Sequence, residues 1–130
     1  ALASNPVLKL LPKVTLALTY DPDPNVCIHL VSNQEALLTK ETSNKAAVDR
    51  LVSHKDPTIR VGVASNILIL KEWPDIAEKL SKDPDRNVRY ELACHFTGLI
   101  NCPEAALNLA EDPDPTIREK IPPAFLKTAI

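Results

Sequence analysis

Asp112-Pro113-Asp114-Pro115-Thr116-Ile117-Arg118 recurs, with changes, as Asp83-Pro84-Asp85-Arg86-Asn87-Val88-Arg89, as Asp56-Pro57-Thr58-Ile59-Arg60 and as Asp21-Pro22-Asp23-Pro24-Asn25-Val26-Cys27. Asp is a preferred helix N-cap because its carboxylate accepts a bond from an otherwise unpaired N–H of the first turn, and Pro is favoured just inside the helix. Each copy therefore reads as a helix start. The Arg that closes the stretch falls in the first turn, where the helix dipole disfavours a cation, so local helix energetics do not account for it. A carboxylate would. The Asp four residues earlier (Asp56 with Arg60, Asp85 with Arg89, Asp114 with Arg118), or the same Asp of the adjacent copy, can supply one and form a structural ladder. The alternative is that each Arg points into water. Arg86 lies outside the ladder register and is expected to carry no link.

Measured on Val26, Ile59, Val88 and Ile117, the copies stand 33, 29 and 29 residues apart. A second signal lies upstream of each, at Pro12, Pro74 and Pro103, with Lys45 in the equivalent place of the second unit. Behind these, Val14 and Leu18, Ala47 and Leu51, Ile76 and Leu80, and Ala105 and Leu109 are spaced i, i+4 on one helix face. First helices are expected over roughly 12–20, 44–54, 74–82 and 103–111, and second helices over roughly 24–38, 57–71, 86–100 and 115–128. The second helices carry inner stripes of Val26 and Leu30; Ile59, Val63 and Ile67; Val88, Leu92 and Phe96; and Ile117, Ile121 and Phe125. Two helices per unit at this period mark an α-solenoid. The longer first spacing falls in the polar stretch 39–44, as an extra helical turn or a bulged loop. Pro122-Pro123 should bend or stop the last helix near Lys120.

The expected fold is therefore all-α, a right-handed α-α superhelix of about four helix pairs forming one domain over residues 1–130. Ala3-Ser4-Asn5 repeats the pattern of Val31-Ser32-Asn33 and Ala64-Ser65-Asn66, so the chain opens in mid-repeat and is expected to belong to, or stack onto, a longer array. Its end repeats would then expose apolar flanks and favour self-association.

Composition agrees with helices. Only 2 Gly beside 12 Pro suits short Pro-started helices and argues against β-hairpins. A net charge of -2 lacks the excess expected of a nucleic-acid-binding domain, and no apolar run reaches transmembrane length, so neither partner is implied. Cys27, Cys94 and Cys102 are too dispersed for a disulfide framework or a metal cluster, and read as reduced thiols in a cytoplasmic setting. Neither a cofactor nor a catalytic residue is indicated. Trp73, just before Pro74, reads as a packing staple at a helix start. The His residues are scattered, and His95 with Glu91 is an ordinary i, i+4 pair.

Helix pairs with Asp-Pro turns and an Asp/Arg ladder resemble HEAT-like repeats over essentially the whole chain. Cys27 in place of Arg, Arg86 in place of Pro and Lys45 in place of Pro depart from that pattern. If the slot opposite Asp23 is open, Cys27→Arg should leave stability equal or raised. Asn5-Pro6 and Asp21-Pro22-Asp23 are also similar to the leucine-rich repeat variant family, whose units are shorter and which can carry a cysteine-bound iron–sulfur cluster; no matching cysteine cluster is present.

In stacked repeats, an arc two, six and nine positions after the leading Val or Ile stays exposed on the concave side. It comprises Ile28, Ser32 and Glu35; Val61, Ser65 and Leu68; Tyr90, Cys94 and Thr97; and Glu119, Pro123 and Leu126. These could form a shallow groove for a peptide or helix, or be covered by neighbouring repeats. The resemblance implies a non-enzymatic scaffold for a protein partner. It also extends to enzymes such as bilin lyases and alkylpurine DNA glycosylases. A glycosylase needs a basic concave face, whereas this arc holds Glu35 and Glu119 and no Lys or Arg.

Overall fold

The computed structural model describes residues 16–31 and 42–129, and every regular element among them is a helix. The expectations for Pro12, Val14, Ser32, Glu35 and residues 39–41 lie outside the described residues, while 42–44 open a helix. The chain divides into two compact units, Ala1–Val63 and Ala64–Ile130.

In the first unit, residues 16–18 are helical and turn at Thr19-Tyr20. There follow α1 (Pro24–Val31), α2 (Thr42–Val52) and α3 (Pro57–Ala64), whose last residue crosses into the second unit. The second unit continues with α4 (Ile67–Glu72), α5 (Pro74–Ser81), α6 (Arg86–Cys94), a 3₁₀ turn (Phe96–Leu99), α7 (Pro103–Ala110), α8 (Pro115–Arg118) and α9 (Pro123–Ala129). Within this unit α5 packs on α6 and α7, α8 packs on α6 and α7, and α4 packs on α5 and on the 3₁₀ turn.

The Asp-Pro motif starts helices as its chemistry requires. Oδ1 of Asp23, Asp56, Asp85 and Asp114 accepts the N–H of Asn25, Thr58, Asn87 and Thr116 at 3.0, 2.9, 2.7 and 2.8 Å. One step upstream a second acceptor stiffens each turn: Asp21, Asp83 and Asp112 Oδ1 take the N–H two residues on at 2.8, 2.9 and 2.9 Å. His54 holds the equivalent place in the second copy, and its Nδ1 accepts from the Asp56 N–H at 3.0 Å.

Most members of the apolar stripes are buried as the spacing implies, whereas Leu18 and Val26 are half-buried. Ala47, Leu51, Ile76, Leu80, Ala105 and Leu109 of the first helices are inaccessible or nearly so, as are Leu30, Ile59, Val63, Val88, Leu92 and Ile117 of the second. Buried apolar side chains of this kind each contribute about 1.5–3 kcal/mol. Small residues bring second helices together: a Cβ on Gly62 of α3 would lie 3.1 Å from Val31 Cγ1 of α1.

The second helices depart from the expected long rods. Three of them break early, α3 and α6 after about two turns and α8 after about one, at 65–66, at His95 and at 119–122. At the first break Asn66 leaves the helix and its Oδ1 accepts the Ile69 N–H at 3.2 Å, capping α4. Near the second, Gly98 packs so closely that a Cβ would sit 2.9 Å from Leu70 Cδ1 and 3.3 Å from Ile67 Cα. At the third, Pro122-Pro123 cannot continue α8, and α9 starts at Pro123. The third position of each inner stripe, Ile67, Phe96 and Phe125, is consequently only half-buried. Phe96 and Phe125 still meet edge to face, with centroids 5.2 Å apart. Trp73 joins α4 to α5 by its backbone, donating its N–H to Ile69 O at 3.0 Å.

Candidate functional site

Two sets of polar contacts tie consecutive helix pairs together, the first within the second unit and the second within each unit. In the first, Arg89 Nε donates to Asp112 Oδ2 at 2.8 Å while Nη1 donates to the carbonyl oxygen of Asp83 at 2.7 Å. The ladder thus runs through a different carboxylate from the expected one. Asp85 and Asp114 are N-caps, and Arg89 reaches the first Asp of the next copy. Arg60 and Arg118 repeat the carbonyl bond of this arrangement, donating to His54 O at 2.6 Å and Asp112 O at 2.7 Å. The expectation for Arg86 is also corrected. Its Nε forms a short hydrogen bond to Asp114 Oδ2, because its position on the first turn of α6 faces the cap of α8. This guanidinium, helped by the Thr116 N–H, holds the Asp114 carboxyl below the usual carboxylate range.

The second set joins first helices. Thr19 Oγ1 donates to Leu16 O and Ser81 Oγ to Glu78 O, each at 2.6 Å. Each hydroxyl then accepts from the next first helix, Thr19 from Arg50 Nε at 3.1 Å and Ser81 from Asn108 Nδ2 at 3.0 Å. The repeat register relates the two pairs, although their residue types differ, which hides the equivalence from inspection of one sequence. Arg50 also lies over the Tyr20 ring, 3.4 Å from its centroid.

In the first copy of the motif Cys27 stands in place of the Arg, and its side chain is enclosed rather than facing an open slot. Cys27 is fully buried, and its Sγ donates weakly to Thr19 O at 3.8 Å. Burial pushes the Cys27 thiol up, and the Cys102 thiol likewise, so both are protonated near neutral pH. No group of three or more His, Cys, Asp or Glu side chains among the described residues is placed to hold a metal ion.

The arc divides by exposure. Ile28 and Leu68 are 38% and 44% exposed, and Cys94, Thr97, Glu119 and Pro123 are exposed as well. Val61, Ser65, Tyr90 and Leu126 are half-buried. Ser32 and Glu35 lie outside the described residues. Tyr90 is flanked by cations that the arc positions do not include: Arg86 lies 5.3 Å and Lys120 5.4 Å from its ring centroid. Arg86, four residues before Tyr90 on one helix, was legible from spacing. Lys120 belongs to the next copy of the motif and is brought in by packing. Such cation–ring contacts fix the ring and place positive charge beside an apolar strip.

No family model matches this chain, and no curated protein or solved structure matches it at a level that would establish kinship.

Proposed function

We propose that the chain is a right-handed solenoid of HEAT-like helix pairs acting as a non-enzymatic scaffold, and that it binds a protein or peptide partner on the concave arc of its second helices. The exposure of Ile28 and Leu68, which hold different positions of the arc, carries this reading, since apolar side chains left in solvent form the raw material of a docking strip. Tyr90, held between Arg86 and Lys120, adds an aromatic anchor with a basic border, which favours a segment carrying both apolar and acidic residues. Protonated, buried Cys27 and Cys102 are in keeping with a reducing, cytoplasmic setting.

A photo-crosslinking side chain placed at Leu68 or Tyr90, and as a control at the exposed Leu107 of α7, tests the assignment in lysate of the source cells. One shared partner captured at both arc positions and missed at Leu107 supports it. Equal labelling at all three sites, or no specific product at the arc, overturns it.

A further inference from the structure

A cleft of about 440 Å³ lies where α2 ends and the chain turns towards α3, lined by Asp49, Arg50, Ser53, His54 and Lys55. That volume is in the range of small-ligand sites. Among the described residues the lining offers no apolar side chain, and its one carboxylate, Asp49, is paired with Lys45 at 2.9 Å. Arg50 and Lys55 therefore set the sign of the cleft, in a chain whose net charge is -2. Asp56, the next acid along the chain, is turned to its own helix as the cap that accepts the Thr58 N–H.

His54 is what distinguishes this copy of the motif. The other copies place Asp21, Asp83 or Asp112 here, and each accepts the N–H two residues on, as His54 Nδ1 does from Asp56 at 3.0 Å. The bond that shapes the turn is thus kept, while a carboxylate that would repel an anion is exchanged for a ring whose proton is held on Nε2, as a donor. The His54 carbonyl oxygen takes Arg60 Nη1 at 2.6 Å, which anchors the residue from its backbone as well. Arg50 is equally fixed: its Nε donates to Thr19 Oγ1 at 3.1 Å and its guanidinium lies 3.4 Å from the Tyr20 ring centroid. Donors fixed before a ligand arrives cost less to order when it binds. A helix C-terminus ordinarily disfavours an anion. Here the carbonyl oxygens of Asp49, Arg50 and Leu51 already accept the Ser53 and His54 N–H groups at 3.2 Å, so the last turn is closed on itself rather than ending in bare carbonyls.

We propose that this cleft binds a phosphate monoester. Such a group carries about -1.5 to -2 charge on three terminal oxygens. The Arg50 guanidinium, the Lys55 ammonium, His54 Nε2–H and the exposed Ser53 hydroxyl offer two cations and two further donors to it. A carboxylate ligand, with one charge and two oxygens, would use only part of that set. The ester is either a small phosphorylated molecule or a phosphoserine side chain, and the group recognised is the same. None of the five lining residues belongs to the concave arc, so the site stands or falls independently of the docking surface proposed above.

Amide NMR titrations of the whole chain use glycerol 3-phosphate, a short glycine-flanked phosphoserine peptide and the same peptide without phosphate. The two esters should shift the Ser53, His54 and Lys55 signals saturably, with a dissociation constant of about 1 mM or tighter for at least one, and the unphosphorylated peptide should not. His54→Asp restores the residue type of the other copies, keeps the turn acceptor, and should weaken binding about tenfold or more. Lys55→Glu should act in the same direction. Lys82→Glu makes the same charge change on exposed α5–α6 surface and should leave affinity within about twofold. Circular dichroism of each variant separates lost binding from lost fold. Tighter binding of the peptide assigns the site to a modified protein, and equal or tighter binding of glycerol 3-phosphate assigns it to a small phosphorylated molecule. No saturable shift up to about 10 mM, equal shifts with the unphosphorylated peptide, affinity indifferent to both cleft variants, or an equal loss in Lys82→Glu overturns the proposal.

Discussion

Arg89→Ala removes the donor that faces Asp112, a carboxylate whose side chain is only 3% exposed, from an Arg that is itself 18% exposed. The variant leaves Asp112 with the Asp114 N–H as its one hydrogen bond from the motif, and deprives the buried turn at Asp83 of a donor to its carbonyl oxygen. Leaving a buried acceptor unsatisfied costs about 1–3 kcal/mol, and stranding one member of a buried ion pair about 3–5 kcal/mol. Residual solvent access to Arg89 places the expectation near the overlap, at about 2–3 kcal/mol. With a urea slope of about 2 kcal/mol/M, the unfolding midpoint should fall by about 1–1.5 M. Arg86→Ala removes the same charge three residues earlier, from a pair in which the Arg is nearly half exposed. Solvent screening makes that pair weaker, so its midpoint shift should be markedly smaller. Asp112→Asn keeps an acceptor for the Asp114 N–H and removes the charge. The cycle built from Arg89→Ala and Asp112→Asn should show a coupling of about 1–2 kcal/mol. Equal shifts for Arg86→Ala and Arg89→Ala, or a coupling within about 0.3 kcal/mol of zero, would mean that the helix pairs are held by apolar packing alone.

Cys27→Arg should destabilise the chain by about 1–3 kcal/mol in the same urea titration, because the larger side chain enters a filled site; equal or raised stability would show that the site can open. Asn66→Ala should cost about 0.5–2 kcal/mol by removing the cap of α4, and an unchanged thermal midpoint would show that the break does not depend on that cap. Acidification supplies a third check: the folded-state Asp114 carboxyl is depressed by Arg86, so its contribution is present above the unfolded-state range and is lost as pH falls through the lowered value. Urea midpoints at pH 7 and at about pH 3 should therefore differ more for the unaltered protein than for Arg86→Ala, and parallel losses would remove Arg86 as the cause.

What the sequence by itself determined was set by short-range chemistry. Asp-Pro starts helices because one carboxylate and one missing N–H act within a single turn, and Asp23, Asp56, Asp85 and Asp114 all serve as caps. The i, i+4 stripes found their cores because helix periodicity alone decides which side chains share a face. The cap at Asn66 was also legible from its residue type, but the continuing apolar stripe through Ile67 favoured an unbroken helix. Only the tertiary structure decided the partner of Arg89, since Asp85 at i−4 and Asp112 in the next copy are equally acceptable carboxylates until helices pack and the cap role claims Asp85. The same holds for Lys120 beside Tyr90 and Asn108 on Ser81. Local sequence fixes where a side chain starts and which way its helix face points, whereas the group it meets across 20 or 30 residues depends on how close the second helix is allowed to come.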